Sequence, residues 1–295
     1  MIGQLQQDGQ AAAALCEALS VPRSGYYAWR RGVLGHRAVE DAALQPLVGE
    51  IFWEHRRRYG ARRIAQELAA RGVRCGVVRA GRLLRELGLK AIQPKSFQPR
   101  TTDSRHRLGF SPNLLLKSPL PQHVDRVWVG DISYVPLVGG EFLYLALLMD
   151  LYSRRIVGWE LRDHMRESLV LAALRAAIAL RQPPAGLIHH SDRGGQYAGR
   201  TYRGVLARAA MRQSMSRADD CYDNAFMESC FGTIKTELEM TAYQSAWLAR
   251  AELGGYIRYY NTRRLHSALG YLTPEAFEAA AAKRGEPTAV RRDGR

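Results

Sequence analysis

The spacing of apolar residues changes once along this chain, and that change limits the fold more than any other feature. Up to about residue 91 the spacing is helical. Leu44, Leu47, Ile51 and Phe52 share one face over 39–57, and Ile64 and Leu68 stand at i and i+4 in the next stretch. Gly72 and Gly88 are placed to end helices. From Val127 the apolar residues fall instead into short strands. Three of these come first, around Val127–Val135, Phe142–Leu151 and Arg155–Leu161, with a hairpin turn at Gly139-Gly140. Helices then alternate with short strands near 186–190 and 213–216, and a long helix begins near Asn224. That order predicts a mixed α/β sheet fold preceded by an all-α segment.

Between the two regimes, residues 92–124 carry prolines and basic residues with few apolar ones, which reads as an extended basic linker. The expected parts are a short helical segment over 1–35, a helix-turn-helix domain over 36–91, the linker, a core with C-terminal helices over 125–282, and a disordered tail over 283–295. At the start, Ser20 and Pro22 are expected to cap and open a second short helix.

The 295 residues carry a formal charge of +15. The first 120 hold 20 Lys or Arg against 9 Asp or Glu, and the rest 23 against 19. So uneven a basic excess suggests a polyanion partner, most often nucleic acid. A chain of this length with 46% hydrophobic residues can bury a core without staples. It holds no apolar run long enough for a membrane span and no recognisable secretion signal. Cys16, Cys75, Cys221 and Cys230 form no metal-binding spacing and are expected as reduced thiols of a cytoplasmic protein.

The helix from about Val77 to Leu87 sets Arg79, Arg82 and Arg85 opposite its apolar side. After a short helix bearing Arg62 and Arg63 and a tight turn, this suits a DNA-reading helix-turn-helix, or else an ordinary amphipathic surface helix.

Three carboxylates stand in unusual places. Asp131 interrupts the apolar strand WVGDISYV, where a buried charge needs compensation. Asp192 ends the strand GLIHHSD just before Gly194-Gly195. Glu228 lies one residue off the apolar stripe of Met227, Phe231 and Ile234, with Lys235 two turns along. Acids on a strand, a strand end and a helix can converge on two divalent cations, and all-oxygen donors suit Mg²⁺ or Mn²⁺. They can also be ordinary surface acids. Asp150 reads as a strand-end cap or a group near Asp131 that tunes the metals. His189 and His190 read as packed or as ordering a water, with His190 on the face of Asp192. Asp223 and Asn224 read as helix caps. His266, beside Arg263 and Arg264, reads as part of a basic DNA-binding cluster or as a structural corner.

The segments DISYVPLVGGEFLYLALLMDLYSRRIVGWEL, GLIHHSDRGGQYA, QSMSRADDCYDNAFMESCFGTIKTEL and YYNTRRLHSALGYLTPEAF occur in that order. Together they resemble the OrfB-type transposases of the insertion-sequence-three family of bacterial insertion sequences, whose core is similar to retroviral integrase. The resemblance covers about residues 12–280. It implies an RNase H-like core and a DDE motif falling on Asp131, Asp192 and Glu228. It also places a DNA-contacting residue at Lys235 and implies Mg²⁺-dependent strand cleavage and transfer at element ends. DNA partners would be the terminal repeats and the target. A homo-oligomer is expected, with an upstream-frame partner or fusion, at the nucleoid of a bacterium. Members commonly carry Pro where Phe226 stands, an aromatic at Cys230, Gly-Asn at Asp219-Asp220 and Thr at Ser133. The competing readings are an inert DNA-binding remnant or regulator, and a simple nuclease on the same fold.

Overall fold

The computed structural model describes residues 11–32, 35–94, 109–116, 119–217 and 225–284. The expected tail, Asp219, Asp220, Cys221, Asp223 and Asn224 lie outside the described residues, the tail except for its first two positions. The chain divides into two compact units, Met1–Ala91 and Ile92–Arg295.

The first unit is helical: α1 (Ala12–Ala18), α2 (Arg23–Arg30), α3 (His36–Glu54), α4 (Ala61–Ala70) and α5 (Val77–Glu86). Ala12, Cys16 and Tyr26 form a small cluster between the first two. Val48, Ile51 and Phe52 on α3, Ile64 and Leu68 on α4, and Ala80 and Leu83 on α5 are fully buried. These are the i, i+3, i+4 positions of each helix, so each buries one stripe. Ser20 does not cap α2, whose N-cap is Pro22. It closes α1 instead, at φ 53°. Its N–H donates to the Glu17 carbonyl and that of Val21 to Cys16, the Schellman pattern. Gly72 and Gly88 close α4 and α5 in the same way, both at positive φ.

The second unit is a five-stranded sheet covered on both faces. Its strands are β1 (Val127–Pro136), β2 (Phe142–Asp150), β3 (Ile156–Arg162), β4 (Ile188–Ser191) and β5 (Arg212–Met215), in spatial order β3-β2-β1-β4-β5. The first three pair antiparallel, while β4 runs parallel to β1 and β5 parallel to β4. The mixed sheet behind an all-α segment is the fold class expected from the sequence. Helices α6 (Glu167–Arg181), α7 (Gly195–Ala198) and α8 (Arg200–Arg208) cover one face. Helices α9 (Ala225–Glu237) and α10 (Ala246–Thr262) cover the other, and α11 (Pro274–Arg284) follows a short turn at Ser267–Leu269.

Side-chain alternation divides β1 between the two layers. Val127, Val129 and Val135 pack toward α9 and α10, and Trp128 packs toward α6. Gly158 on β3 lets α6 come close, since a Cβ there would lie 2.4 Å from the Ala173 carbonyl and 2.8 Å from the Ala177 methyl.

Within the expected linker, residues 109–116 are packed in place. Ser111 Oγ donates to Gln213 Oε1 at 2.9 Å, the Leu114 N–H donates to Ser214 Oγ at 2.9 Å, and Leu115 joins the α9-side core. This stretch lies against β5, an edge strand that would otherwise stand open.

Candidate active site

The sheet register sets the geometry of the candidate site. The last parallel pair between β1 and β4 is Gly130 with Ser191. Asp131 is the next residue of β1 and Asp192 is the first residue beyond β4, so the two acids follow the last paired residues of adjoining strands, which lie about 4.8 Å apart in a sheet. Both are partly exposed. Asp131 lies in phase with Val129, which directs it to the α9 side. Its Oδ1 accepts the Ile132 N–H at 2.7 Å. Asp192 Oδ1 accepts the Gly194 N–H at 2.9 Å, and a Cβ on Gly194 would sit 3.0 Å from that same oxygen. The glycine therefore leaves room for this turn.

Two further side chains respond to this pair. Tyr197, buried on α7, has its phenol pushed well above the usual range by burial, with Asp131 and Asp192 adding to the effect. Lys235 on α9 is half-buried. Burial holds its ammonium below the usual lysine range, and Asp131 pulls in the opposite direction.

Glu228 is exposed on the first turn of α9, about 10 Å along the helix axis from Lys235. Among the described residues no three acidic, histidine or cysteine side chains come close enough to share a metal ion. Asp131 and Asp192 follow the last paired residues of adjoining strands, and Glu228 stands on the first turn of α9, the helix that follows residues 218–224. Asp131 and Asp192 do fit a hard divalent cation: they are neighbouring, partly solvated and offer only oxygen.

Asp150 is not beside Asp131. It pairs with Trp128, three register positions away, and is wholly buried. Its carboxylate accepts the N–H groups of Asp125, Tyr152 and Ser153 and the Ser153 hydroxyl, which makes it the cap of the β2–β3 turn. Burial outweighs these donors and pushes its carboxyl up to about 6. His190 is also fully buried, with Nδ1 2.8 Å from Ser214 Oγ and Nε2 3.3 Å from Ser216 Oγ, so both ring nitrogens join β4 to its neighbour. His189 turns to the opposite layer, against Tyr202.

The expected DNA-binding arginines separate into two groups. Arg62, Arg85 and Arg263 are exposed. Arg63 is half-buried, donates to the Arg58 carbonyl and lies over the Tyr59 ring. Arg79 and Arg82 are held by acids of the same unit. Arg79 reaches Asp41 at 2.7 Å and Glu40 at 2.8 Å, while Arg82 reaches Asp41 at 2.6 Å and Glu86 at 2.7 Å. Both arginines hold the Asp41 carboxyl below its usual range. Arg264 is buried and forms an ion pair with Glu237, which also accepts the Tyr256 hydroxyl. His266 lies 3.3 Å from Arg264 and packs edge-on against Tyr260. Arg264 and His266 therefore form a structural corner rather than a DNA-facing cluster. Sequence reasoning missed Tyr197 and Glu237. The only trace of Tyr197 is its place five residues after Asp192, and Glu237 looks like an ordinary helix-end acid.

Two matches to the integrase core domain family cover residues 121–221 and 209–274, and a match to the HTH-like domain family covers 30–97. The chain is 40% identical over 265 residues to the insertion element IS600 uncharacterized 31 kDa protein of Shigella sonnei, covering 89% of this chain and 97% of that protein. It is 38% identical over 269 residues to transposase InsF for insertion sequence IS3A of Escherichia coli, covering 90% and 93%. It is 36% identical over 242 residues to the transposase for insertion sequence element IS904 of Lactococcus lactis, covering 81% and 95%. With nearly the full length of each relative matched, and an integrase core behind a helix-turn-helix unit, this chain belongs to the IS3 family of insertion-sequence transposases.

Proposed function

We propose that this protein cuts DNA at the ends of an insertion sequence and joins the freed 3′ hydroxyl to a second DNA. The observation that supports this reading is the parallel seam of β1 and β4, whose last pair is followed by Asp131 and Asp192, with Lys235 of α9 near enough to feel the Asp131 charge. In the first step water attacks a phosphodiester at the element end. A new P–O bond forms, the bond to the 3′ oxygen breaks, the 3′ oxygen takes up a proton to leave as a hydroxyl, and the proton lost by the water passes to solvent. In the second, the released 3′ hydroxyl attacks a phosphodiester of the target by the same in-line exchange.

Asp131 and Asp192 would hold Mg²⁺ or Mn²⁺, with Glu228 as the third donor and two ions the expected number. A bound cation supplies positive charge to the attacking and leaving oxygens of such a displacement. The Gly194 N–H holds the Asp192 carboxylate, and Tyr197 would close the floor beneath the acids against water. Lys235 places a cation where the phosphate approaches. The helix-turn-helix unit, with exposed Arg62 and Arg85, would hold the terminal repeats, and exposed Arg263 would face DNA from the second unit. Cutting two ends in a symmetric way calls for a homo-oligomer, and an upstream-frame partner or fusion would add further DNA binding. Among the described residues no helix is long and apolar enough to cross a membrane. The place of action we infer is the cytoplasm, at the nucleoid.

The test is Mg²⁺-dependent joining of a labelled element-end oligonucleotide to a plasmid, with Glu228→Gln in parallel. Joining by the wild type and at least a hundredfold less by Glu228→Gln supports the reading. Release of the labelled end by hydrolysis without joining would make the protein a simple nuclease. Binding without either reaction, with the upstream-frame partner present, would make it an inert DNA-binding protein.

A further inference from the structure

On α5 the buried stripe is Ala80, Leu83 and Leu84. At 100° per residue the opposite side of the helix carries Val78, Arg82 and Arg85. Of these, Arg82 is held by Asp41 and Glu86, and neighbouring Arg79 by Asp41 and Glu40. A guanidinium engaged by two carboxylates has its fork geometry already used, so it is poorly placed to grip a guanine edge as well. Val78 is different. It is 87% exposed, the most exposed large apolar side chain among the described residues. It is the second residue of the second helix of the helix-turn-helix, where such helices meet base edges in the major groove. Around it the charge suits DNA. The first turn of α5 contains no acid, and exposed Arg74 precedes it. An isopropyl group offers no hydrogen bond, and the apolar feature that a major groove presents to it is the 5-methyl of thymine.

We infer that Val78 reads a thymine methyl in the terminal repeat, and that Arg79 and Arg82 hold α5 in place instead of reading bases. The inference rests on the DNA-binding role proposed above. It names the specificity-determining side chain and the chemical group it recognises.

The experiment uses the full chain. Duplexes bound by the wild type are selected from a randomised pool, and each thymine of the resulting site is replaced in turn by uracil, which lacks only the methyl. One such replacement is expected to weaken wild-type binding roughly fourfold, the effect of one buried methyl. Val78→Ala is expected to bind the thymine and uracil duplexes equally, and Val78→Thr, which keeps a methyl, to retain the difference. Val78 is exposed, so neither change threatens the fold. Uracil replacements without effect on the wild type, or with the same effect on Val78→Ala, would overturn the inference and leave the DNA-binding role intact. A pool that yields no preferred sequence would remove that role and the inference together.

Discussion

Two arginine-rich stretches look alike in the sequence and behave differently in the structure. VVRAGRLLRE on α5 and NTRRLH at the end of α10 each read as a basic face offered to DNA. On α5 the guanidinium groups of Arg79 and Arg82 are tied at the surface, with side chains 27% and 42% exposed. After α10, Arg264 and its partner Glu237 are each 7% exposed. A surface pair is worth little because water screens it and two long side chains must be ordered. A buried pair is costly to break, because removing one partner leaves a lone charge in a poorly solvating interior. The same residue type thus fixes a helix lightly in one unit and closes a corner of the core in the other.

The comparison can be broken by mutation. The largest effect is expected at the corner. Glu237→Gln should destabilise the chain by about 3–5 kcal/mol, since it strands the Arg264 guanidinium. Arg263→Ala, one residue away and exposed, should stay within about 0.5 kcal/mol. Denaturant unfolding of the full chain measures both, and equal losses would erase the distinction.

A second prediction sets Arg264, a buried cation with a partner, against His189, a buried base held neutral. Burial lowers the His189 imidazole to about 3, with the neighbouring His190 adding to the effect. The neutral ring is the favoured form in the fold, so its stabilisation is complete above the ordinary value of about 6.5. It is lost as pH falls from there toward 3, at about 1.4 kcal/mol per pH unit. His189→Gln should flatten that part of the stability profile. An unchanged slope would mean that other groups carry it.

The smallest effect belongs to the surface. Asp41→Asn removes the shared partner of Arg79 and Arg82 and should lower the melting temperature by a few degrees at low salt, with less difference at high salt. A large drop that salt does not alter would show that α3 and α5 depend on this pair more than its exposure allows.

The fold class was legible because its signal is local. Strand alternation in WVGDISYV, the Gly-Gly turn and the glycines after each helix are all read within ten residues. The places of Asp131 in a strand and Asp192 at a strand end came from the same local pattern. What was not legible depends on distant partners. Asp41 meets Arg79 across 38 positions, and Glu237 meets Arg264 across 27. Residues 109–116 look like a spacer by composition, yet Leu114 and Leu115 find β5 and the core about a hundred positions on. Ser20 was misread because a serine before a proline suits a helix start, whereas its left-handed backbone closes the helix before it.

The seam at Gly130 and Ser191 also bears on how copies of such a gene decay. Facing alternates with every residue, so one extra codon between Val129 and Asp131 would turn the carboxylate to the α6 side of the sheet. A bulge that absorbed the extra residue would restore the alternation beyond it; without one the carboxylate stays on the wrong face, while the helical unit that precedes the sheet is a separate compact unit. A single in-frame insertion there that no bulge absorbed would turn away one of the two acids that follow the seam and leave the residues of the helical unit unchanged.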